Sequence, residues 1–288
     1  MNPSFQQIAE LFQLSLPTGD AGIVPAERKT KGKNADESEQ LGRQCLNDGD
    51  FEAAIKHFKL AVEQRGEPDA NIELHLAAAY EYGDLAPQAL RQYEKARKLK
   101  ADEPEALVGL SDVYKRYGRF KDAIQNMEAA IALDPNNPFL HFKLAETFAD
   151  MGENSRALLA AQRAIAAQPD NSFFHYWVGD LLIKMHQYPD ALDSLRAAIE
   201  MSPGDDFLYL RASVAFWCAD RKQEAVKAVR LASDLDPEKH VYHGLLEVLL
   251  EKMGLEEEAD LESKRADQMD RYDHDTLERT LGEMGIEL

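Results

Sequence analysis

The sequence has little that would cross-link it or carry it into a membrane. Its two cysteines, Cys45 and Cys218, stand far apart in 288 residues. That rules out a disulfide framework and suits free thiols in a reducing compartment. No apolar run approaches the roughly 20 residues of a membrane span. The opening stretch MNPSFQQIAELF has no basic segment ahead of an apolar core, so it does not read as a secretory signal. The expected setting is the cytoplasm. Positive charge is short as well: 33 Lys and Arg face 52 Asp and Glu, for a net charge of −19. A surface that acidic repels phosphate backbones and anionic lipid, so neither nucleic acid nor membrane is an expected partner. The one basic run, Arg28, Lys29, Lys31 and Lys33, reads as a solubilising spacer. Catalytic signatures are missing too. There is no Gly-rich phosphate loop, no paired-cysteine metal motif and no nucleophile on a strand-to-helix turn. Asp273, His274 and Asp275 are consecutive and cannot share one helix face, so no metal site is expected there. The expectation is a protein without catalytic activity, cofactor or metal.

What the sequence has is a repeat. Ala54, Ala89, Ala123, Ala157, Ala191, Ala225 and Ala259 are separated by 35 and then five times by 34 residues. Seven places further on in each copy stand Ala61, Ala96, Ala130, Ala164, Ala198, Ala232 and Ala266. Pro135, Pro169, Pro203 and Pro237 keep the same interval. Self-similarity at such a period is the mark of stacked supersecondary units. Within residues 104–137, Leu107, Leu110, Ser111 and Tyr114 fall on one helical face, Gly118 interrupts, and Ala123, Met127 and Ala130 form a second stripe that Pro135 ends. Each copy is therefore a helical hairpin. The alanines let its two helices approach closely, and its apolar face must be buried by neighbouring copies.

These residues carry a family resemblance. Leu110, Ser111, Tyr114, Gly118, Phe120, Ala123, Ala130 and Pro135 match the signature places of the tetratricopeptide repeat, which the sequence resembles over about four-fifths of its length. The resemblance implies an all-α, right-handed superhelical solenoid. Seven hairpins would begin near residues 35, 70, 104, 138, 172, 206 and 240 and cover 35–273. Departures occur at the extra residue before the second copy, at Pro87, and at Asp220, which replaces the turn glycine of the sixth. Residues 274–288 read as an acidic, solvated capping helix.

The resemblance also implies which side chains face the concave surface. In the family these are the second, fifth, ninth, twelfth and thirteenth residues of each copy. Read off here, they give Glu39 and Arg43 early, then Leu74, Glu81 and Tyr82, then Asp112, Lys115 and Arg116, then Phe139, Phe142 and Glu146. Phe173, Tyr176 and Asp180 follow with Trp177 on the flank, and then Phe207, Leu210 and Trp217. An exposed aromatic strip of this kind would mark a binding site. Phe139, Phe142, Phe173, Tyr176, Trp177, Phe207, Leu210 and Trp217 are the candidate anchors, and Asp112, Lys115, Arg116, Glu146 and Asp180 would set register. The alternative is that the rings simply pack between copies. Phe174, His175 and Val178 are expected in the core, as are His141 and His243 at the place equivalent to His175. The family's carboxylate-clamp mode of peptide binding is not matched, because its places hold Glu39, Arg43, Val108 and Asp112.

Residues 1–34 precede the repeats. Phe5, Ile8, Leu11 and Phe12 follow helical spacing after Ser4, and a helix of about eleven residues is marginal without something to dock on. Residues 17–34 would tether it. The functional expectation is a non-catalytic scaffold that binds a helix or peptide of a partner protein in its concave groove, as an assembly or regulatory subunit. The alternative is a self-assembling protein whose N-terminal helix enters its own or a neighbour's groove, which leaves a homo-oligomer open.

Overall fold

The computed structural model describes residues 35–269 and 272–287. Among them are fifteen helices and no strand. Fourteen helices pair into seven antiparallel hairpins. These are α1 (Ala35–Asn47) with α2 (Phe51–Arg65), α3 (Ala70–Tyr82) with α4 (Ala86–Leu99), and α5 (Glu105–Arg116) with α6 (Phe120–Leu133). Then come α7 (Pro138–Asp150) with α8 (Asn154–Ala167), α9 (Ser172–Lys184) with α10 (Tyr188–Met201), α11 (Asp206–Cys218) with α12 (Lys222–Leu235), and α13 (His240–Lys252) with α14 (Glu256–Ala266). The last helix is α15 (His274–Glu283). Each first helix packs on its own partner and on the second helix of the preceding hairpin, giving an all-α superhelical solenoid.

Local chemistry sets the boundaries. Asp69, Asn137, Asn171 and Asp205 stand just before first helices and accept hydrogen bonds from backbone N–H groups two places on, at 2.9 to 3.1 Å. Free N–H groups at a helix start favour that pairing. At the seven hairpin turns one residue adopts left-handed backbone: Gly49, Gly118, Gly152 and Gly254, but Asp84, His186 and Asp220 at the other three. In the second copy Gly83 is not the turn residue; Asp84 is, with φ of 60°. Both alanine columns are buried throughout, so the helices of each hairpin meet over methyl groups.

A hydrogen-bonded staple closes four of the hairpin junctions. His141 and His175 each place Nε2 at 2.8 Å from the carbonyl of Pro135 and Pro169, six residues back. Tyr209 donates its hydroxyl to Pro203 at 3.1 Å, and His243 Nε2 lies 3.2 Å from the Pro237 carbonyl. The imidazoles act as donors there, which gives these histidines a structural task. His141 and His243 are buried. His175, expected in the core, is only partly buried, because its staple to Pro169 lies at the rim of the junction.

The C-terminal helix departs from the expected solvated end. An eighth first helix would pack on α14, as every other first helix packs on the second helix before it. Instead α15 packs chiefly on α13, with Leu277, Leu281, Met284 and Ile286 buried. Asp273 accepts a hydrogen bond from Val241 N at 3.0 Å, tying the start of α15 to the start of α13. Gly244 makes the close approach possible: a Cβ there would sit 2.7 Å from Leu277 Cδ2. The far end reaches a further hairpin back, where Glu283 pairs with Arg211 on α11.

Candidate functional site

The first helices present three zones of side chains along their common face. In the first, charged side chains are cross-linked between hairpins. Arg116 on α5 donates to the Glu81 carbonyl on α3 at 2.8 Å and to its carboxylate at 3.2 Å. Tyr93 donates to the other carboxylate oxygen of Glu81 at 2.7 Å. Lys143 on α7 pairs with Asp112 on α5 at 3.1 Å, and Lys115 on α5 pairs with Glu146 at 3.1 Å and Asp150 at 3.5 Å on α7. Asp112, Lys115, Arg116 and Glu146 are thus brought together as a ladder across hairpins 2, 3 and 4. Burial, with Asp112 nearby, pushes the Glu81 carboxyl up to about 7, which Tyr93 and Arg116 only partly oppose. Burial, with Arg43 adding to it, lowers His75 to about 4.

The second zone is aromatic. Phe142 on α7 meets Phe173 on α9 with ring centroids 5.1 Å apart, Phe173 meets Tyr176 at 6.2 Å, and Tyr176 meets Phe207 on α11 at 5.7 Å. Trp177 packs edge-on to Phe142 at 5.4 Å. Edge-to-face and tilted contacts at these separations are favourable for aromatic rings. Burial, then Asp180, pushes the Tyr176 phenol up to about 12.

Three expected anchors are not available to a partner. Phe139, Phe142 and Leu210 are 8 %, 5 % and 1 % exposed. The reason is the tight fit between hairpins: Phe142 is wedged against Phe173, Phe174 and Trp177 of the next first helix. Phe139 and Leu210 belong to the same continuous core. Phe173, Tyr176, Trp177, Phe207 and Trp217 remain partly exposed. Phe174 and Val178 are buried. Phe5, Ile8, Leu11 and Phe12 lie outside the described residues.

The third zone centres on Arg211, only 4 % exposed. Its guanidinium pairs with Asp180 of α9 and with Glu283 of α15, and Asp180 also pairs with Lys184 at 3.1 Å. Cys218, the last residue of α11, places its thiol 3.5 Å from the Glu283 carbonyl. Glu81 was expected on the groove-facing side of the second copy, whereas Lys143 and Arg211 were absent from the sequence-based candidates. A signal existed for Arg211, a single charge inside the apolar helix stretch FLYLRASVAF. Among the described residues no group of three or more His, Cys, Asp or Glu is placed to hold a metal. None of the described helices is long and apolar enough to cross a membrane.

Comparison with known proteins follows the geometry. Residues 111–152 match the family model described as TPR repeat, and residues 142–184 and 179–240 match the one described as tetratricopeptide repeat. MamA (residue 41 to the end) from Desulfovibrio magneticus RS-1 is a similar solved structure, at 22% identity and TM-score 0.53, covering 58% of this chain and 95% of that one. PilF of Pseudomonas aeruginosa is similar at 18% identity and TM-score 0.57, covering 71% and 93%. YrrB, described as a TPR protein with an unusual peptide-binding site, gives 23% identity and TM-score 0.51, covering 64% and 95%. At these identities the likeness is one of fold. No curated protein matches the sequence.

Proposed function

We propose that the chain, a tetratricopeptide-repeat protein by sequence and by fold, is a non-catalytic interaction scaffold that binds a helix or extended peptide of a partner protein on its concave face. The observation that carries this reading is the run of partly exposed rings on hairpins 5 and 6. Phe173, Tyr176 and Phe207 are in continuous contact and partly exposed, with Trp177 packed in the same cluster as Phe173. Rings already held by their neighbours lose little freedom on binding, which favours them as anchors. The ladder of Asp112, Lys115, Arg116 and Glu146 on one side of the rings, and Asp180 paired with Arg211 on the other, set the register of the bound segment. Because those charges are already paired, a partner's charges exchange with them rather than meeting bare ions.

The net charge of −19 favours a protein partner over nucleic acid or anionic lipid. Two unpaired cysteines, Cys45 and Cys218, suit the cytoplasm. The test is affinity capture with mass spectrometry, wild type beside a Tyr176→Ser, Trp177→Ser, Phe207→Ser variant verified as folded by circular dichroism. Proteins retained by wild type and lost from the folded variant support the reading. Identical captures from both would remove the aromatic run as the site.

A further inference from the structure

The face formed by the first helices already holds one helix of the chain itself. Between α11 and α13 the wall receives α15, which presents Leu277, Leu281 and Met284 on one stripe and Glu283 beside it. That pattern is an amphipathic helix with an acidic end laid into a helical groove. The contact is clamped at both ends. Asp273 caps the N-terminus of α13 at one end. Glu283 meets Arg211 at the other, with the Cys218 thiol against its carbonyl.

Arg211 is the unusual element. A buried guanidinium needs compensating charge and full hydrogen bonding. Within the seven hairpins it has Asp180 alone as an ion-pair partner, its second carboxylate comes from α15, and its Nε has no partner among the described residues. The wall of hairpin 6 is therefore built to receive a carboxylate from a segment lying across it. Gly244 adds a track bare of side chain where that segment crosses closest.

We propose that the wall between α11 and α13 is a helix-binding site filled in cis by α15, and that its ligand class is a short amphipathic helix carrying a carboxylate two residues beyond its second leucine, as Glu283 follows Leu281. A partner helix with that spacing exchanges with α15 at Arg211. The site continues the aromatic run through Tyr176, whose phenol senses Arg211, Arg279 and Glu283 together. The inference rests on the concave face being the binding face. Its probe is the chain's own C-terminal sequence, so its outcome is independent of partner capture.

The experiment uses the full chain and a fluorescein-labelled synthetic peptide of residues 272–287, read by fluorescence polarisation. Leu281→Asp in the chain releases α15 while leaving the wall intact. That variant should bind the peptide at least about tenfold more tightly than wild type, whose site is filled. Adding Arg211→Gln should cost at least about tenfold of that affinity. A folded Leu281→Asp chain that binds no better than wild type would overturn the proposal, as would binding indifferent to Arg211→Gln. If Leu281→Asp does not fold, hydrogen exchange on the wild type decides instead. Exchange of α15 amides at least about tenfold faster than those of α13 supports a separable helix. Equal exchange makes α15 an inseparable part of the last hairpin and ends the idea.

Discussion

Glu81 is a carboxyl group placed where its charge is costly. It is 8 % exposed, and burial followed by Asp112 raises it from 4.5 to about 7. The folded chain therefore holds this proton more tightly than the unfolded chain does. The resulting stabilisation is complete below about pH 4.5 and is lost as pH rises through about 7. Glu81→Gln, neutral at every pH, should be flat across that window. The stability difference between wild type and variant should move by up to about 3 kcal/mol, measured by urea titrations at the two ends. A second residue-scale prediction concerns the turns. Asp84, His186 and Asp220 hold φ of 60°, 58° and 57°, a conformation that costs an L-residue roughly 1 kcal/mol. His186→Gly should therefore raise stability by a few tenths to about 1 kcal/mol, less the entropy that glycine adds to the unfolded chain. Tyr209→Phe removes only the hydroxyl that reaches Pro203 and should cost about 0.5–1 kcal/mol in the same assay.

At the scale of the element, close approach decides what can change. A Cβ at Gly109 would lie 2.2 Å from the Tyr93 ring. That ring is buried and tied to Glu81, so it has nowhere to go. Gly109→Ala should lose roughly 1–3 kcal/mol, checked by thermal melting beside wild type. Much of this level was legible in the sequence. The alanine columns are small because two helix axes meet over them, so their spacing announces the hairpins directly. The burial of Phe139, Phe142 and Leu210 was not legible. Helical periodicity says which face a residue occupies, but not how far the next hairpin leans over that face. Nor was the docking of α15: HDTLERTLGE specifies an amphipathic helix, while the surface that receives it depends on the direction the chain takes after α14. The lone arginine within FLYLRASVAF is the visible clue to it, a charge inside an apolar stretch that aromatic periodicity does not account for.

At the scale of the whole molecule, every hairpin packs on its sequence neighbours, and among the described residues long-range closure is confined to α15. Stability in such an array is close to a sum of unit and interface contributions. An interior lesson follows. Ala157→Asp places an unpaired charge at a fully buried helix crossing and should uncouple the two sides of hairpin 4. Its urea unfolding should separate into two transitions, where wild type shows fewer. A single cooperative transition in that variant would mean coupling reaches beyond nearest neighbours.

The same arrangement has a mechanical meaning. Held by its two ends and stretched, the chain carries load through its junctions in series, each able to give way without the others. Every hairpin released would add about 12 nm of contour length, near 34 residues at the span of an extended chain. The clasp formed by Glu283 on Arg211 lies at one terminus of that series. It should open first, as a shorter step at lower force, so that a pull on the C-terminus bares Arg211 before any repeat unfolds.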